Sequence, residues 1–260
     1  MINFHKYHGA GNDFIMINNL DGDIHLKSEH IKTLCDRHFG IGADGLILLQ
    51  SSEKADCFMN YYNSDGSLAE MCGNGARCTA KFFLDQTDSH AKELSIDTKA
   101  GIKKIICKSD DTYSVNMGAP IFEHTDFPSG LLNIEGLPFE CVSMGNPHAV
   151  MIKDTLDNFD ILSIGPEIEN DYHFPNKINV EFVEKIKDDY FKVKVWERGC
   201  GPTLACGTGA CAAFSILNKK ENFKKEITLE FPGGKLFLSE NHRGEIILRG
   251  PATFVFKGEI

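Results

Sequence analysis

Short apolar runs, several of which alternate with polar residues, recur along the chain and predict β-strands. These runs lie at residues 14–17, 58–62, 149–152, 191–196, 227–231, 236–238 and 245–248. Helical periodicity is confined to a few segments. The pattern therefore predicts a fold rich in strands with few helices.

Two segments have apolar residues on almost every face and predict buried helices. They cover roughly residues 75–85 and 209–218. A helix that is apolar all round needs protein on every side, so we expect strands to enclose each of them. A further helix is predicted in the first half of the chain. It has Ser28 as its N-cap, one face formed by Ile31, Leu34, Cys35 and His38, and Gly40 at its end.

The chain contains an internal repeat with an offset of 134 residues. Residues 72–76, Cys-Gly-Asn-Gly-Ala, resemble residues 206–210, Cys-Gly-Thr-Gly-Ala. The same offset relates the Gly-Asn pairs at 11–12 and 145–146, and the glycine-containing turns at 99–101 and 233–235. Because three separate anchors share their order and spacing, we infer a duplication. Residues 120–139 are rich in Pro and Gly and are predicted to connect the two copies.

Composition excludes several classes of protein. With 260 residues, 42% hydrophobic and 25% charged, the chain is globular. A net charge of −10 argues against binding nucleic acid or an anionic membrane. No apolar run is long enough to span a membrane, and the N-terminus lacks the apolar stretch of a signal peptide, so we expect a cytoplasmic protein. The nine cysteines show neither a disulfide framework nor zinc-ligand spacing.

Two of the cysteines lie at positions that could activate a thiol for acid–base catalysis. Cys72 and Cys206 each precede a buried helix, where free N–H groups and the helix dipole should lower a thiol pKa and bind a carboxylate. Two such thiols on opposite faces of one carbon could invert its configuration. Buried, inert cysteines are an equally good interpretation of these residues taken alone.

Residues 63–77 resemble the signature of the diaminopimelate epimerase family, which is Asn-x-Asp-Gly-Ser, four residues, then Cys-Gly-Asn-Gly-x-Arg. Further segments resemble the same family over almost the whole chain. They lie at residues 8–14, 37–42, 143–148, 196–199, 205–210 and 231–234.

The resemblance implies an isomerase that interconverts LL- and meso-diaminopimelate, a step towards lysine and peptidoglycan, with no cofactor and no metal. Cys72 and Cys206 take the two catalytic positions. The positions that bind substrate are Asn12, Asn63, Gly73, Asn74, Asn146, Asn179, Glu197, Arg198, Gly207 and Thr208. His148 and Glu197 are associated with tuning the site. The expected partner is a small diamino-dicarboxylate, and a homodimer is a possible assembly.

The expected fold class is α+β, with two pseudo-symmetric domains. Each is a strand barrel or curved sheet around a buried central helix, and the active site lies in the cleft between the domains. The first domain is expected at residues 1–118, with residues 252–260 as its possible completion, and the second at residues 119–251. Two positions depart from relatives that carry Gln there. They are Gly45, to which we give no side-chain role, and Met71.

Three other functions compete with this one. A proline racemase-like enzyme would use the same two-thiol logic, but such enzymes generally carry His at the position of Asn74 and lack the Asn-x-Asp-Gly-Ser block. A thiol redox or zinc-binding module would need cysteines clustered with histidines. A non-catalytic descendant that binds an amino acid is disfavoured because Cys72 and Cys206 are both present.

Overall fold

A computed structural model describes residues 1–260, which divide into two compact units. Unit 1 comprises residues 1–116 and 249–260, and unit 2 comprises residues 117–248. Each unit contains two helices, and no helix of the chain is both long and apolar enough to cross a membrane.

Unit 1 holds the first seven strands, two helices and the last strand of the chain. Its elements begin with β1 Asn3–Gly9, β2 Asn12–Asn19, α1 Ser28–Cys35, β3 Gly45–Gln50, β4 Cys57–Asn63, α2 Gly73–Thr87, β5 Glu93–Asp97, β6 Lys103–Cys107 and β7 Thr112–Gly118. The strands pair in chain order, with β2–β3 and β4–β5 parallel and the others antiparallel. Helix α2 packs against strands β1 to β6.

Unit 2 repeats this order. Its elements are β8 Leu131–Ile134, β9 Leu137–Ser143, β10 Pro147–Lys153, α3 Ile161–Glu169, β11 Asn179–Lys187, β12 Tyr190–Glu197, β13 Gly201–Thr203, α4 Gly207–Glu221, β14 Ile227–Phe231, β15 Gly234–Glu240 and β16 Ile246–Pro251. The pairs β10–β11 and β12–β14 are parallel, and the other pairs are antiparallel. Helix α4 packs against β9, β10, β11 and β15. The last strand of the chain, β17 Thr253–Glu259, pairs with β1 in unit 1.

The duplication predicted from the sequence is confirmed by the bounds of the elements. An offset of 134 residues carries α2 onto α4 and β1 onto β9 without any shift. Even the register is repeated, because Phe14 lies opposite Gly45 in the first parallel pair and His148 lies opposite Asn179 in the second. The predicted α+β class, with a buried helix among strands in each half, is also confirmed.

Several details differ from the expectations. Helix α1 has Lys27 at its N-cap and ends at Cys35, so His38 lies beyond it in a turn. The expected connection at residues 120–139 instead contains β8 and the start of β9, which form a hairpin of unit 2. Helices α2 and α4 each extend over 15 residues, longer than predicted.

Helix α3 was not predicted from the sequence, and its residues 165 and 166, Gly and Pro, are the two poorest helix formers. The structure places Pro166 inside the helix and Gly165 against the indole of Trp196. A Cβ at residue 165 would lie 2.4 Å from Cδ2 of Trp196, so this close approach requires glycine. Packing between the helix and β12 therefore outweighs the local preference for a turn.

Candidate active site

Cys72 is the N-cap of α2, as its position in the sequence predicts. Its backbone is extended, and Sγ accepts a hydrogen bond from the N–H of Gly75 at 3.4 Å. The N–H of Ala76 bonds to the Cys72 carbonyl at 2.8 Å. The N–H groups of Gly73 and Asn74, at the first two helical positions, are thus left to bind a ligand.

Cys206 caps α4 in the same way. Its Sγ accepts the N–H of Gly209 at 3.3 Å and lies 3.4 Å from Oγ1 of Thr208. The N–H of Ala210 bonds to the Cys206 carbonyl at 2.9 Å. Gly207 and Thr208 are therefore the counterparts of Gly73 and Asn74, with N–H groups at the start of a buried helix.

The side chains around Cys72 form a hydrogen-bonded network built on two asparagine amides. Oδ1 of Asn12 lies 3.5 Å from the Cys72 sulfur and accepts Nδ2 of Asn74 at 3.2 Å. Oδ1 of Asn74 in turn accepts Nη2 of the fully buried Arg77 at 2.9 Å. Nδ2 of Asn12 donates to Asp44 at 2.8 Å. The network orients Asn12 and Asn74 next to the sulfur.

An ionic cluster supports this network from the start of β2. Asp13 forms ion pairs with Lys6 at 2.6 Å and with Arg37 at 2.8 Å. Burial alone would raise the pKa of Asp13, but the hydrogen bonds from Arg37 and Lys6 outweigh it and lower the pKa to about 2. Asp44 joins the cluster through Arg37, which connects the cluster to Asn12.

Carboxylates surround Cys206. Glu197 lies close enough for its charge to act on the Cys206 thiol, and its carboxylate accepts the hydroxyl of Thr203 at 2.5 Å. Burial, and after it the negative charges of Glu197 and Glu181, raise the pKa of the Cys206 thiol well above its usual value. Burial also raises the pKa of the Glu197 carboxyl, in spite of the hydrogen bond from Thr203. The expectation that the helix end lowers the thiol pKa is therefore wrong for Cys206.

His148 lies in the same region of unit 2 and is fully buried. Its Nδ1 lies 2.8 Å from Oε1 of Glu181, and its Nε2 lies 3.0 Å from Oδ1 of Asn146. Asn146 is the 134-residue counterpart of Asn12, so both units place an amide at this point of the fold.

Asn179 and Arg198 are brought together at the ends of β11 and β12. Nδ2 of Asn179 donates to the Pro147 carbonyl at 2.8 Å, and Oδ1 accepts the backbone N–H of Arg198 at 3.0 Å. The exposed Arg198 side chain donates Nη1 to the Asn176 carbonyl at 3.0 Å. In unit 1, Nδ2 of Asn63 donates to the Ser67 hydroxyl at 3.0 Å.

Sequence reasoning missed Glu181 and Thr203. Glu181 is a carboxylate within an otherwise apolar stretch of β11, residues 180–183, and that contrast is the signal that could have revealed it. Thr203, in β13, carries no comparable signal. Arg77 belongs to the signature segment, but its contact with Asn74 was not anticipated.

Solved structures of related fold include two kinds of protein. A PhzF-family phenazine biosynthesis protein of Bacillus anthracis is similar to this chain with a TM-score of 0.71 and 19% identity, covering 100% of this chain and 98% of that one. A probable proline racemase of Agrobacterium radiobacter K84 is similar with a TM-score of 0.72 and 13% identity, covering 100% and 93%. At these identities the likeness defines the fold alone, which is the one shared by the PhzF and proline racemase proteins.

The family follows from the sequence comparisons. The family description "Diaminopimelate epimerase" matches residues 4–123 and 140–255. The diaminopimelate epimerase of Acetivibrio thermocellus is 42% identical, covering 99% of this chain and 98% of its own length, and that of Methanococcus maripaludis strain C5 is 41% identical, covering 99% of both. This chain belongs to the diaminopimelate epimerase family, whose members are isomerases.

Proposed function

We propose that this chain interconverts LL- and meso-diaminopimelate without a cofactor, using Cys72 and Cys206 as two acid–base groups. The observation that carries the proposal is the recurrence of one arrangement at equivalent positions. Each sulfur caps a buried helix and accepts the N–H of the third helical residue. A cysteine that served only to fill the core would have no reason to recur at both caps.

The chemistry of inversion requires two groups. One thiolate removes the proton from the α-carbon, and the electron pair of the broken C–H bond moves towards the α-carboxylate to give an enolate. The opposite thiol then delivers its own proton to the other face of the carbon. The stereocentre is inverted, the first sulfur ends as a thiol, and the second ends as a thiolate. Each proton transfer contributes about 10²- to 10⁴-fold to the rate.

The starts of the two helices are suited to hold the reacting carboxylate. In α2 and α4 the third N–H binds the cap sulfur and the fourth binds the cap carbonyl. The N–H groups of Gly73, Asn74, Gly207 and Thr208 are left for the substrate. Fixed N–H groups of this kind stabilise the charge that builds up on the carboxylate as the enolate forms.

We infer from its surroundings that Cys206 is the protonated thiol in the resting enzyme. Its raised pKa favours the thiol, so Cys206 donates the proton when Cys72 acts as the base. In the reverse direction the two forms are exchanged, so that Cys206 removes the proton as the thiolate and Cys72 delivers a proton as the thiol. His148 and Glu197 thus tune the proton affinity of this sulfur.

The second amino-acid head group of the substrate needs charged partners. The guanidinium of Arg198 suits its carboxylate, because a bidentate ion pair fixes both position and orientation. Glu197 and the amides of Asn12, Asn63, Asn146 and Asn179 provide acceptors and donors for its ammonium and carboxylate. Asn179 contributes also by holding the backbone of Arg198.

The test is direct. Purified protein is incubated with LL-diaminopimelate, and the stereoisomers are separated by chiral chromatography over time. We expect meso-diaminopimelate to appear until both isomers are present at equilibrium, while alanine and proline are poor substrates. Comparable turnover of proline would instead point to a broad racemase of the proline racemase type. Absence of meso-diaminopimelate with a correctly folded protein would contradict the proposal.

We also propose a cytoplasmic location and, as an assembly, a homodimer. The first rests on membership of a family that acts on an amino-acid precursor. Cell fractionation tests the location, and analytical ultracentrifugation of the purified chain tests the assembly.

A further inference from the structure

The amides beside Cys72 belong to a chain of four hydrogen-bonded side chains in unit 1. Nη2 of Arg77 donates to Oδ1 of Asn74 at 2.9 Å, and Nδ2 of Asn74 donates to Oδ1 of Asn12 at 3.2 Å. Nδ2 of Asn12 then donates to Oδ2 of Asp44 at 2.8 Å. The donors therefore follow one direction, from Arg77 on α2 to Asp44, which directly precedes β3.

Both ends of this chain of hydrogen bonds fix its direction. A guanidinium has N–H donors, no acceptor, and keeps its proton in proteins, so Asn74 must turn its oxygen towards Arg77. At the other end the Asp44 carboxylate forms an ion pair with Arg37 at 2.8 Å and accepts, so Asn12 must turn its nitrogen towards it. Reversing either amide would place two donors or two acceptors face to face. The Arg77 end alone is sufficient, whatever the protonation state of the carboxylate.

The direction of the hydrogen bonds decides which atom of Asn12 faces the cysteine. Because Nδ2 is engaged by Asp44, the atom that lies 3.5 Å from Sγ of Cys72 is Oδ1. The sulfur thus has an acceptor that takes a hydrogen bond from the thiol, and a donor, the N–H of Gly75 at 3.4 Å, that favours the thiolate. This pair of contacts suits a group that must both remove and deliver a proton.

The donor end is built into the interior of unit 1. The guanidinium of Arg77 is fully buried, and it also donates to the backbone carbonyls of Pro251 at 3.2 Å and Gly73 at 3.4 Å. Strand β1 makes room for it, since a Cβ on Gly9 would lie 3.0 Å from Nη2 of Arg77 and 3.3 Å from the Asn74 carbonyl oxygen. These contacts hold the guanidinium against the Asn74 amide.

Unit 2 does not repeat this chain of hydrogen bonds. The 134-residue counterparts of Asn74, Arg77 and Asp44 are Thr208, Cys211 and Ile178. The duplicated fold therefore forms without a guanidinium or a carboxylate at these positions. Burying a charged side chain is costly unless its hydrogen bonds are satisfied, so the requirement of the fold alone does not explain the arginine of unit 1.

We propose that Arg77 and Asp44 are positioning residues that fix the Asn12 amide from two ends, so that its oxygen faces the Cys72 thiol. Both act through the amides between them. Once Cys72 has taken the proton from the α-carbon, the new S–H finds an acceptor already in place. The inference rests on the proposed function of the chain, and it adds two residues to the machinery around one of the two sulfurs.

Since either end alone fixes the direction, single substitutions should change little and a double substitution should change much. Asp44→Asn leaves the direction set by Arg77, and Arg77→Gln leaves it set by Asp44. With both residues replaced, the Asn12 amide is free to turn its nitrogen to the sulfur, where it stabilises the thiolate. Substitutions that act independently have additive effects, so a strongly non-additive effect is the signature of this shared control.

The first measurement is the rate at which iodoacetamide alkylates Cys72 in the whole protein without substrate, followed by peptide mass spectrometry as a function of pH. In Arg77→Gln combined with Asp44→Asn, the rate should begin to rise at a lower pH and should exceed the wild-type rate about tenfold at about pH 7. The exposed Cys200 serves as the internal reference for the reagent. Asp36→Asn, which removes an exposed carboxylate at the end of α1, is the matched control.

A conservative double variant separates positioning from a loss of structure. In Arg77→Lys combined with Asp44→Asn, the ammonium donates and cannot accept, so the wild-type alkylation profile should return. Both double variants lose the guanidinium, and their Tm values measure the cost to the fold. Equal profiles in the two double variants, or additive effects of the single substitutions, would overturn the proposal.

A second measurement uses the wild-type protein and does not depend on the folding of any variant. Neutron diffraction from deuterium-exchanged crystals shows the amide deuterons, which should lie on the atom of Asn12 that faces Asp44. Deuterons on the atom that faces Cys72 would overturn the proposal. Neither measurement needs turnover. If the wild-type protein does not convert LL-diaminopimelate, the proposed function fails, while these two measurements still decide how the Asn12 amide is held.

Discussion

The cysteine-capped ends of α2 and α4 share one backbone and differ in charge. Cys72 is surrounded by amides, with Asn12 and Asn74 as its polar neighbours. Cys206 is buried beside carboxylates, with Glu197 and Glu181 both close enough to affect its ionisation. Both sulfurs accept one helix N–H at nearly the same distance. The backbone is therefore not the source of the difference.

Under the proposed mechanism, a duplicated fold places two identical thiols in opposite roles. A reversible inversion needs one sulfur that holds its proton and one that has lost it. Burial, and after it the carboxylates of unit 2, favour the protonated form of Cys206. One of the differences between the two units is Asn63, whose 134-residue counterpart is Glu197.

The largest effect should come from removing either sulfur. Cys72→Ala and Cys206→Ala should each lower kcat by at least about 10²- to 10⁴-fold while leaving the fold intact, since inversion needs both proton transfers. Rates are measured by chiral chromatography and folding by circular dichroism.

Cys78→Ala is the matched control, because Cys78 is fully buried on α2 and its counterpart in α4 is already alanine, Ala212. It should keep near-normal activity. Near-normal turnover in Cys72→Ala or Cys206→Ala would contradict the claim that inversion needs both sulfurs.

A smaller effect is expected at the distal end of the substrate. Arg198→Ala should weaken binding by about 1.5–3 kcal/mol, the value of a charge-assisted contact, and should raise KM more than it lowers kcat. Arg243→Ala, which removes an exposed guanidinium elsewhere in unit 2, serves as the control. An unchanged KM in Arg198→Ala would place the distal carboxylate elsewhere.

The most subtle change should be in the ionisation of Cys206. Burial and the charge of Glu197 raise its pKa, so Glu197→Gln should lower that pKa. The rate of alkylation of Cys206 by iodoacetamide, followed by peptide mass spectrometry, should then begin to rise at a lower pH than in the wild type. Glu184→Gln removes a charge from the same unit and should not move the profile. If Glu197→Gln also leaves the pH profile of alkylation unchanged, Glu197 is not the cause of the raised pKa of Cys206.

The linkage to stability has a definite sign. Because the folded state raises the pKa of Cys206 above its unfolded value, it binds the proton more tightly than the unfolded state does. The resulting stabilisation is complete below the unfolded pKa and is lost as the pH rises towards the folded pKa. In Glu197→Gln this loss should occur over a narrower range of alkaline pH, which thermal unfolding at several pH values measures.

The elements that the sequence predicted well are those whose signal is local or repeated. Helices α2 and α4 could be predicted because they are apolar on every face, and the 134-residue offset located their caps. Helix α3 could not, since contact with Trp196 decides it against the local preference of Gly165 and Pro166.

The candidate site shows the same limit. The helix-end argument correctly placed both sulfurs at N-caps, but it predicted the wrong direction for the Cys206 pKa. That direction depends on burial and on Glu181, which lies 25 residues away from Cys206 in sequence. Electrostatic surroundings built from separate strands are not visible in a local motif.

The central claim is that two different groups deliver and remove the proton, and a single turnover in D₂O tests it most directly. The protein is equilibrated in D₂O and mixed with unlabelled LL-diaminopimelate, and the product is isolated at low conversion. Because the thiol that protonates the carbon carries deuterium from the solvent, each inverted molecule should contain one deuterium at its α-carbon by mass spectrometry. Product that retains the original hydrogen would show that one base, or internal transfer, does the work and would contradict the account.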